Sequence, residues 1–196
     1  MKSVIHPHLI ELAQFVNEAS GLAVRLGEEL TPSQLRWRPA TEAWSVADCF
    51  DHLISTGYLY YPRLEDAIAA AERDGAGTGY EPSVLAKLFI WTVSPDAGIK
   101  VTAFQPFEPK HVGEDIKIIE MFVAQQEELI DLFRAADGVD INTGKFTTPG
   151  LVRLTVGEGL TMVVQHQRRH MAQVRNVLAH DRFPAEVSAE ILRKER

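Results

Sequence analysis

The chain has 196 residues, 45% of them hydrophobic and 24% charged, which suits one globular domain that buries a core without covalent staples. Its formal net charge of −7 lacks the clustered cationic excess that phosphate backbones select, so a nucleic-acid partner is not expected. Cys49 is the only cysteine, which excludes an intrachain disulfide and any CxxC metal or redox motif.

The N-terminal "MKSVIHPHLIELAQFV" has no signal-peptide pattern, and no window approaches the roughly 18 uncharged apolar residues of a membrane span, so the cytoplasm is the expected place. Pro7 suits a first helical turn, and Leu9, Leu12, Ala13, Val16 and Ala19 carry the helical period on to about Leu30. In "LTPSQLRWRP", Thr31, Pro32 and Gln34 have the pattern of an N-cap, a first-turn proline and the far member of a capping box. Pro39 ends that short turn. A second box, Ser45-Val46-Ala47-Asp48, opens a long helix whose apolar stripe is Val46, Phe50, Leu53, Gly57, Leu64 and Ile68, closed by Gly75, Gly77 and Gly79.

Residues 75–112 hold those glycines, prolines at 82, 95, 106 and 109, and one apolar helical piece, "SVLAKLFIWTV". This reads as a long crossover with a short helix inside it. The stretch 114–137 is the clearest amphipathic helix, with Ile118, Phe122, Leu129 and Phe133 on one side and Gly138 after its end. A loop containing Asn142, Gly144, Pro149 and Gly150 leads to a third box, Thr155-Val156-Gly157-Glu158. That box starts a helix running to about His180, and Pro184 separates a short last segment. No stretch alternates long enough to predict a sheet. Four long helices with a long crossover predict an all-α four-helix bundle spanning residues 1–196 as one domain, with sites where helices face one another.

The last long helix carries "VVQHQRRHMAQVRNVL", in which His166 and His170 lie one turn apart. At about 100° per residue, His170 falls within roughly 40° of Val163, Val174 and Val177, on the core side. Two imidazoles at this spacing can reach one point, which is what one helix can offer a metal, although such pairs also occur as ordinary surface or core residues. A third ligand must come from elsewhere. His52 is the candidate, because it alone among the other histidines lies inside a long helix, whereas His6, His8, His111 and His180 sit near helix ends or in loops. It stands roughly 100° from the centre of its apolar stripe, a position that fits a pocket between helices and equally fits water.

Cys49, one turn before His52, could add a soft ligand but reads better as a small buried hydrophobe. Asp48 could orient an imidazole, yet its place in the capping box already explains it. No HExxH occurs, and Val163 and Cys49 stand where a di-iron bundle would carry glutamates. The "GAGTG" run follows a helix and reads as a hinge. Trp37 and Trp44 precede the His52 helix and read as packing anchors that could also wall an entrance. Trp91 belongs to a piece that could cover the bundle or act as a lid, and the pair Arg168-Arg169, like the terminal Arg193-Lys194-Glu195-Arg196, reads as a solvated face. Arg169 beside the motif could also meet an anionic substrate.

The segment "LTPSQLRWRPATEAWSVADCFDHLISTGYLYYPRL" resembles the second-helix region of the DinB/YfiT-like superfamily, where Trp-Arg-Pro and Trp-Ser elements precede a helix bearing a metal histidine. "HQRRHMAQVRNV" is similar to that family's last-helix His-x-x-x-His motif with a glutamine three residues on, and "AFQPFEP" to its stretch before the third helix. The resemblance runs from about residue 7 to 180 and implies an up-down-down-up bundle. Its metal ligands would be His52, His166 and His170, with Gln173 beside them and Cys49 outside the set.

Three neutral imidazoles leave a divalent ion an open position, the catalytic rather than the structural pattern. Zinc or nickel is expected, since imidazole suits several metals. The family implies a metal-dependent transferase using a low-molecular-weight thiol, or a hydrolase, acting on a small-molecule substrate. The alternative is a non-catalytic, stress-associated protein whose metal is structural. No nucleic acid or membrane partner is expected, and a bundle of this size can form a homodimer through an exposed helix face.

Overall fold

The computed structural model describes residues 6–73, 79–98 and 115–184. Its helices are α1 (Pro7–Glu29), α2 (Pro32–Leu35), α3 (Val46–Ala69), α4 (Val84–Val93), α5 (Asp115–Ala136) and α6 (Val156–Leu178), with a 3-10 turn at Pro95–Ala97. Gly75, Gly77, Pro106, Pro109, His111, the "AFQPFEP" stretch and the C-terminal basic run lie outside the described residues.

All three capping boxes form. Thr31, Ser45 and Thr155 each accept from the backbone N–H three positions on, and the side chains of Gln34, Asp48 and Glu158 accept in return from the cap residue's own N–H. Each box satisfies N–H groups that a helix start otherwise leaves without partners, an effect of about 1 kcal/mol. Ser83 caps α4 through its hydroxyl, which accepts from Ala86.

The four long helices are α1, α3, α5 and α6. Both α1 and α3 pack on α5 and on α6, so the order around the bundle is α1, α5, α3, α6. Phe50 of α3 meets Phe122 of α5 with ring centroids 4.8 Å apart. About one turn further along both helices, Gln125 donates to the Ile54 carbonyl at 3.0 Å. These pairs advance together along the two chains, which requires a long connection between α3 and α5. That connection carries α4, which lies on α6.

One sequence expectation needs correction. The loop before α6 contains a two-stranded antiparallel ribbon, β1 (Lys145–Thr147) and β2 (Arg153–Thr155), with Phe146 opposite Leu154. Three-residue strands are too short for alternation to register in a sequence. The ribbon is nonetheless anchored: Phe146 and Leu154 are buried, and Thr155 passes directly from β2 into the cap of α6. Gly144, at φ +54°, lets the chain enter it, since a Cβ there would fall 2.1 Å from the Ala67 carbonyl oxygen.

The core divides into two apolar halves. One gathers Leu9, Leu12 and Val16 of α1 with Leu64, Leu129, Phe133 and Leu160. The other gathers Leu22, Leu26, Phe50, Ile54, Phe122, Met171 and Val174. Between them lies a waist of buried polar side chains, Thr56, Gln125, Gln126 and Gln167, together with His52 and His170. The histidines therefore sit in the middle of the bundle, in its polar layer.

Candidate metal centre

The three predicted histidines meet. The Nε2 of His52 lies 3.1 Å from the Nε2 of His166, which lies 3.0 Å from the Nε2 of His170. One ligand atom from each histidine lies within 4.8 Å of the others, and among the described residues the cluster contains no fourth His, Cys, Asp or Glu. The ring planes are inclined by 63°, 57° and 77° in the three pairings, so the rings converge on a point instead of stacking.

Each element contributes for a local reason. On α6, Val163, Val174 and Val177 face the core and carry His170 with them, while His166 follows one turn earlier. On α3 the periodicity argument is overridden. Every residue from Val46 to Ile54 is buried: α5 and α6 pack on α3, and Arg38 and Trp44 of the preceding segment are set against Asp48 and His52. An off-stripe residue such as His52 is then still interior, at 5% exposure.

The electrostatics keep the His166 and His170 rings neutral. Burial, then the neighbouring His52, then the Arg169 charge push the His166 pKa down to about 3. His170 is held well below its usual value by burial first, then by His166 and His52; Gln173 alone favours its charged form. Neutral imidazole is the form that ligates a metal.

The donor set passes a geometric test. Two nitrogens bound tetrahedrally at about 2.0–2.1 Å stand about 3.3 Å apart, close to the distances found here. Nε2 is the atom each ring turns toward its neighbours, which leaves the Nδ1 atoms of His166 and His170 buried on the far side of each ring. Gln173 lies beside His170, where its side chain hydrogen-bonds the ring and favours its charged form.

Trp44 is the residue that sequence reasoning undervalued. Its ring lies 4.8 Å from that of His52 and 5.5 Å from that of His170, nearly parallel to the latter at 19°. Trp37, by contrast, is a packing anchor as expected, set against His180 and Phe183. The signal for Trp44 was its position immediately before the Ser45 cap of the His52 helix. Asp48 stays a capping residue: one carboxylate oxygen accepts from the Ser45 N–H and hydroxyl, the other from Arg38.

The remaining candidates go elsewhere. Cys49 is fully buried, and burial pushes its thiol far up from the ordinary range, so it behaves as a small hydrophobe outside the cluster. His8 stacks on Tyr80 and shares a 2.8 Å hydrogen bond with the Thr161 hydroxyl, and His6 stands at the N-cap position of α1 without a side-chain capping bond. Arg169 donates to the Thr92 carbonyl of α4 at 3.2 Å, which ties it to that helix beside the site. Trp91 is 46% exposed on the outer face of α4.

A family model described as DinB superfamily matches residues 18–174, a span that holds all three histidines. Among solved structures, YfiT from Bacillus subtilis superposes with a TM-score of 0.58 at 15% identity, covering 90% of this chain and 89% of that one. It is described as a probable metal-dependent hydrolase with an unusual four-helix bundle topology. No curated protein gives a significant match.

Proposed function

From the premise that the chain belongs to the DinB superfamily, we propose that it is a metal-dependent enzyme whose divalent ion is held by His52, His166 and His170. The carrying observation is the convergence of three imidazole nitrogens with no fourth protein ligand among the described residues. Such a donor set suits zinc or nickel. When bound, the ion supplies a Lewis acid that draws the pKa of water toward 7, holds a thiol as thiolate or polarises a carbonyl.

The chain's own residues define what can approach. Trp44 lies against His52 and His170, and His166 is the least buried of the three, so our reading has substrate approach from the His166 side. Arg169, tied to α4, borders that side with a positive charge that His166 and His170 both feel. A small molecule with an anionic or thiol-bearing end fits this approach. Our reading is S-transfer from a low-molecular-weight thiol to an electrophile, with hydrolysis as the second reaction available to the same site.

Metal analysis of the purified protein against His52→Ala and His166→Ala tests the site; equal metal content in all three overturns it. Turnover is tested with the metal-loaded chain, a small thiol and an aromatic halide electrophile, and separately with an activated ester. Acceleration of either reaction that disappears in His166→Ala supports the assignment. Acceleration of neither, in a protein that binds metal, points to a metal with a structural task.

A further inference from the structure

We propose that the outer face of α4 is the docking surface for a second copy of this chain, the two α4 helices packing antiparallel about a two-fold axis at Leu88. Lys87 is the one charged residue of α4, and both of the helix's broad faces are apolar. The inner face is accounted for: Ala86 and Ile90 are buried, and Phe89 and Val93 pack against the core. At about 100° per residue, Val84, Leu85, Leu88 and Trp91 fall on the opposite side. There they are 83%, 62%, 58% and 46% exposed. Four of the eight large hydrophobic side chains exposed among the described residues are thus gathered in one short helix. A helix that is apolar on both faces is ordinarily covered on both.

A two-fold contact buries the same patch on both copies, so the patch must complement itself. This one does. Residues 84, 88 and 91 have the four-then-three spacing of a heptad seam. Turned end for end about Leu88, the bulky Trp91 of each copy crosses the smaller Val84–Leu85 end of the other. No carboxylate enters the seam, and Lys87 stands about 90° away from it, able to stay in water. An aromatic side chain presents about 150–250 Å², so the four residues at these exposures offer on the order of 400 Å² of apolar surface per copy. Two such faces with a polar rim reach the roughly 1,000 Å² that a specific contact needs. A lipid surface suits the face less well. The chain's net charge is −7, exposed Glu81 and Asp96 flank the helix, and α4 lacks the basic residues that hold an interfacial helix on anionic lipid. The surface is also preformed. The Ser83 N–H donates to Glu158, Arg169 donates to the Thr92 carbonyl, and the Ser94 hydroxyl donates to the Trp91 carbonyl. Little ordering entropy is therefore lost on docking.

Sedimentation equilibrium of the full chain tests this. A contact of this size predicts a reversible dimer with a dissociation constant of roughly micromolar order. Leu88→Lys places a charge on the axis and should weaken association by more than about tenfold. Leu151→Lys, which replaces an exposed leucine of the β1–β2 turn, should leave association unchanged. A second arm stands even if Leu88→Lys fails to fold. Leu88→Cys, on the axis, should oxidise to a disulfide-linked dimer, whereas Val84→Cys, displaced about 12 Å along the helices from its mate, should not. Cys49 is buried and does not compete. A chain that stays monomeric throughout overturns the proposal, as does a dimer that a folded Leu88→Lys leaves intact. Val84→Cys cross-linking as readily as Leu88→Cys overturns the antiparallel pairing. A monomeric chain that sediments with phosphatidylserine vesicles, and loses that property in Leu88→Lys, assigns the face to lipid instead.

Discussion

His52 and His166 are 114 positions apart in the chain, yet their Nε2 atoms lie 3.1 Å from each other across the α3–α6 interface. Two imidazole rings that close, with a third beside them, have a clear use when an ion sits among their lone pairs. One divalent ion per chain is therefore expected. His52→Ala, His166→Ala and His170→Ala should each weaken binding by more than the roughly 10- to 100-fold typical of losing a group that merely orients a ligand. Titration calorimetry with Zn²⁺ on each variant checks this, and a single variant with wild-type affinity removes that residue from the set.

Acid should destabilise the metal-free fold through His166 and His170. In the unfolded chain they return to about 6.5, whereas the folded His166 stays near 3 and His170 well below its usual value. Above about 6.5 neither state is protonated and the contribution is fully present. As pH falls, the unfolded chain takes up protons first, so stability is lost from about 6.5 down toward 3. Thermal midpoints of the metal-free protein at pH 7.5, 6 and 5 should fall, and the slope should flatten in the His166→Ala/His170→Ala double variant. Parallel slopes in the two proteins would contradict the assignment.

Gly57 leaves room for a carboxamide. A Cβ there would stand 2.2 Å from Oε1 and 2.6 Å from Nε2 of Gln125, whose Nε2 donates to the Ile54 carbonyl. Gln125 is 3% exposed and has nowhere to withdraw. Gly57→Ala should cost about 2–4 kcal/mol, from overpacking and a broken buried hydrogen bond together. Adding Gln125→Ala should recover part of that loss, because the two residues share one contact. Strictly additive effects in chemical denaturation would show that the clash is relieved some other way.

These residues also mark what could be read from the sequence. Thr31 with Gln34, Ser45 with Asp48 and Thr155 with Glu158 are local patterns, each within four residues, and all three formed. The pair His166 and His170 is equally local, since one helical turn brings the two rings together. His52 was harder, because its burial comes from the segment folded over α3 and not from its own helical period. The Trp44 contacts and the fit of Gly57 to Gln125 belong to the tertiary structure alone. Stripe position told which helix faces are apolar, but not where a polar waist would cross the bundle.

Cys49 should be silent toward thiol reagents in the folded protein. It is fully buried, and burial, reinforced by the nearby Asp48 charge, disfavours its thiolate. A chromogenic disulfide reagent should therefore react with less than a tenth of the chain under native conditions and with one thiol after denaturation in guanidinium. Rapid native reaction would show that this end of the bundle opens readily, contrary to the tight packing around Phe50 and Ile54.

Removing the metal should loosen the bundle without unfolding it. The two apolar halves on either side of the waist are built from all four long helices and do not depend on the ion. Metal present at about a hundred times its dissociation constant adds about 2.7 kcal/mol to stability, which for a chain of this size shifts the melting temperature by roughly 5–10 °C. A structural ion that holds a fold together contributes more than about 10 kcal/mol, and its removal unfolds the chain outright. Calorimetry before and after treatment with a strong chelator separates the two cases. Retained helicity with a modest drop in midpoint, reversed by adding Zn²⁺, is the outcome expected of an ion held by three histidines for chemistry. Collapse of the helical signal on chelation would mean that the waist, and not the apolar halves, is what keeps the four helices together.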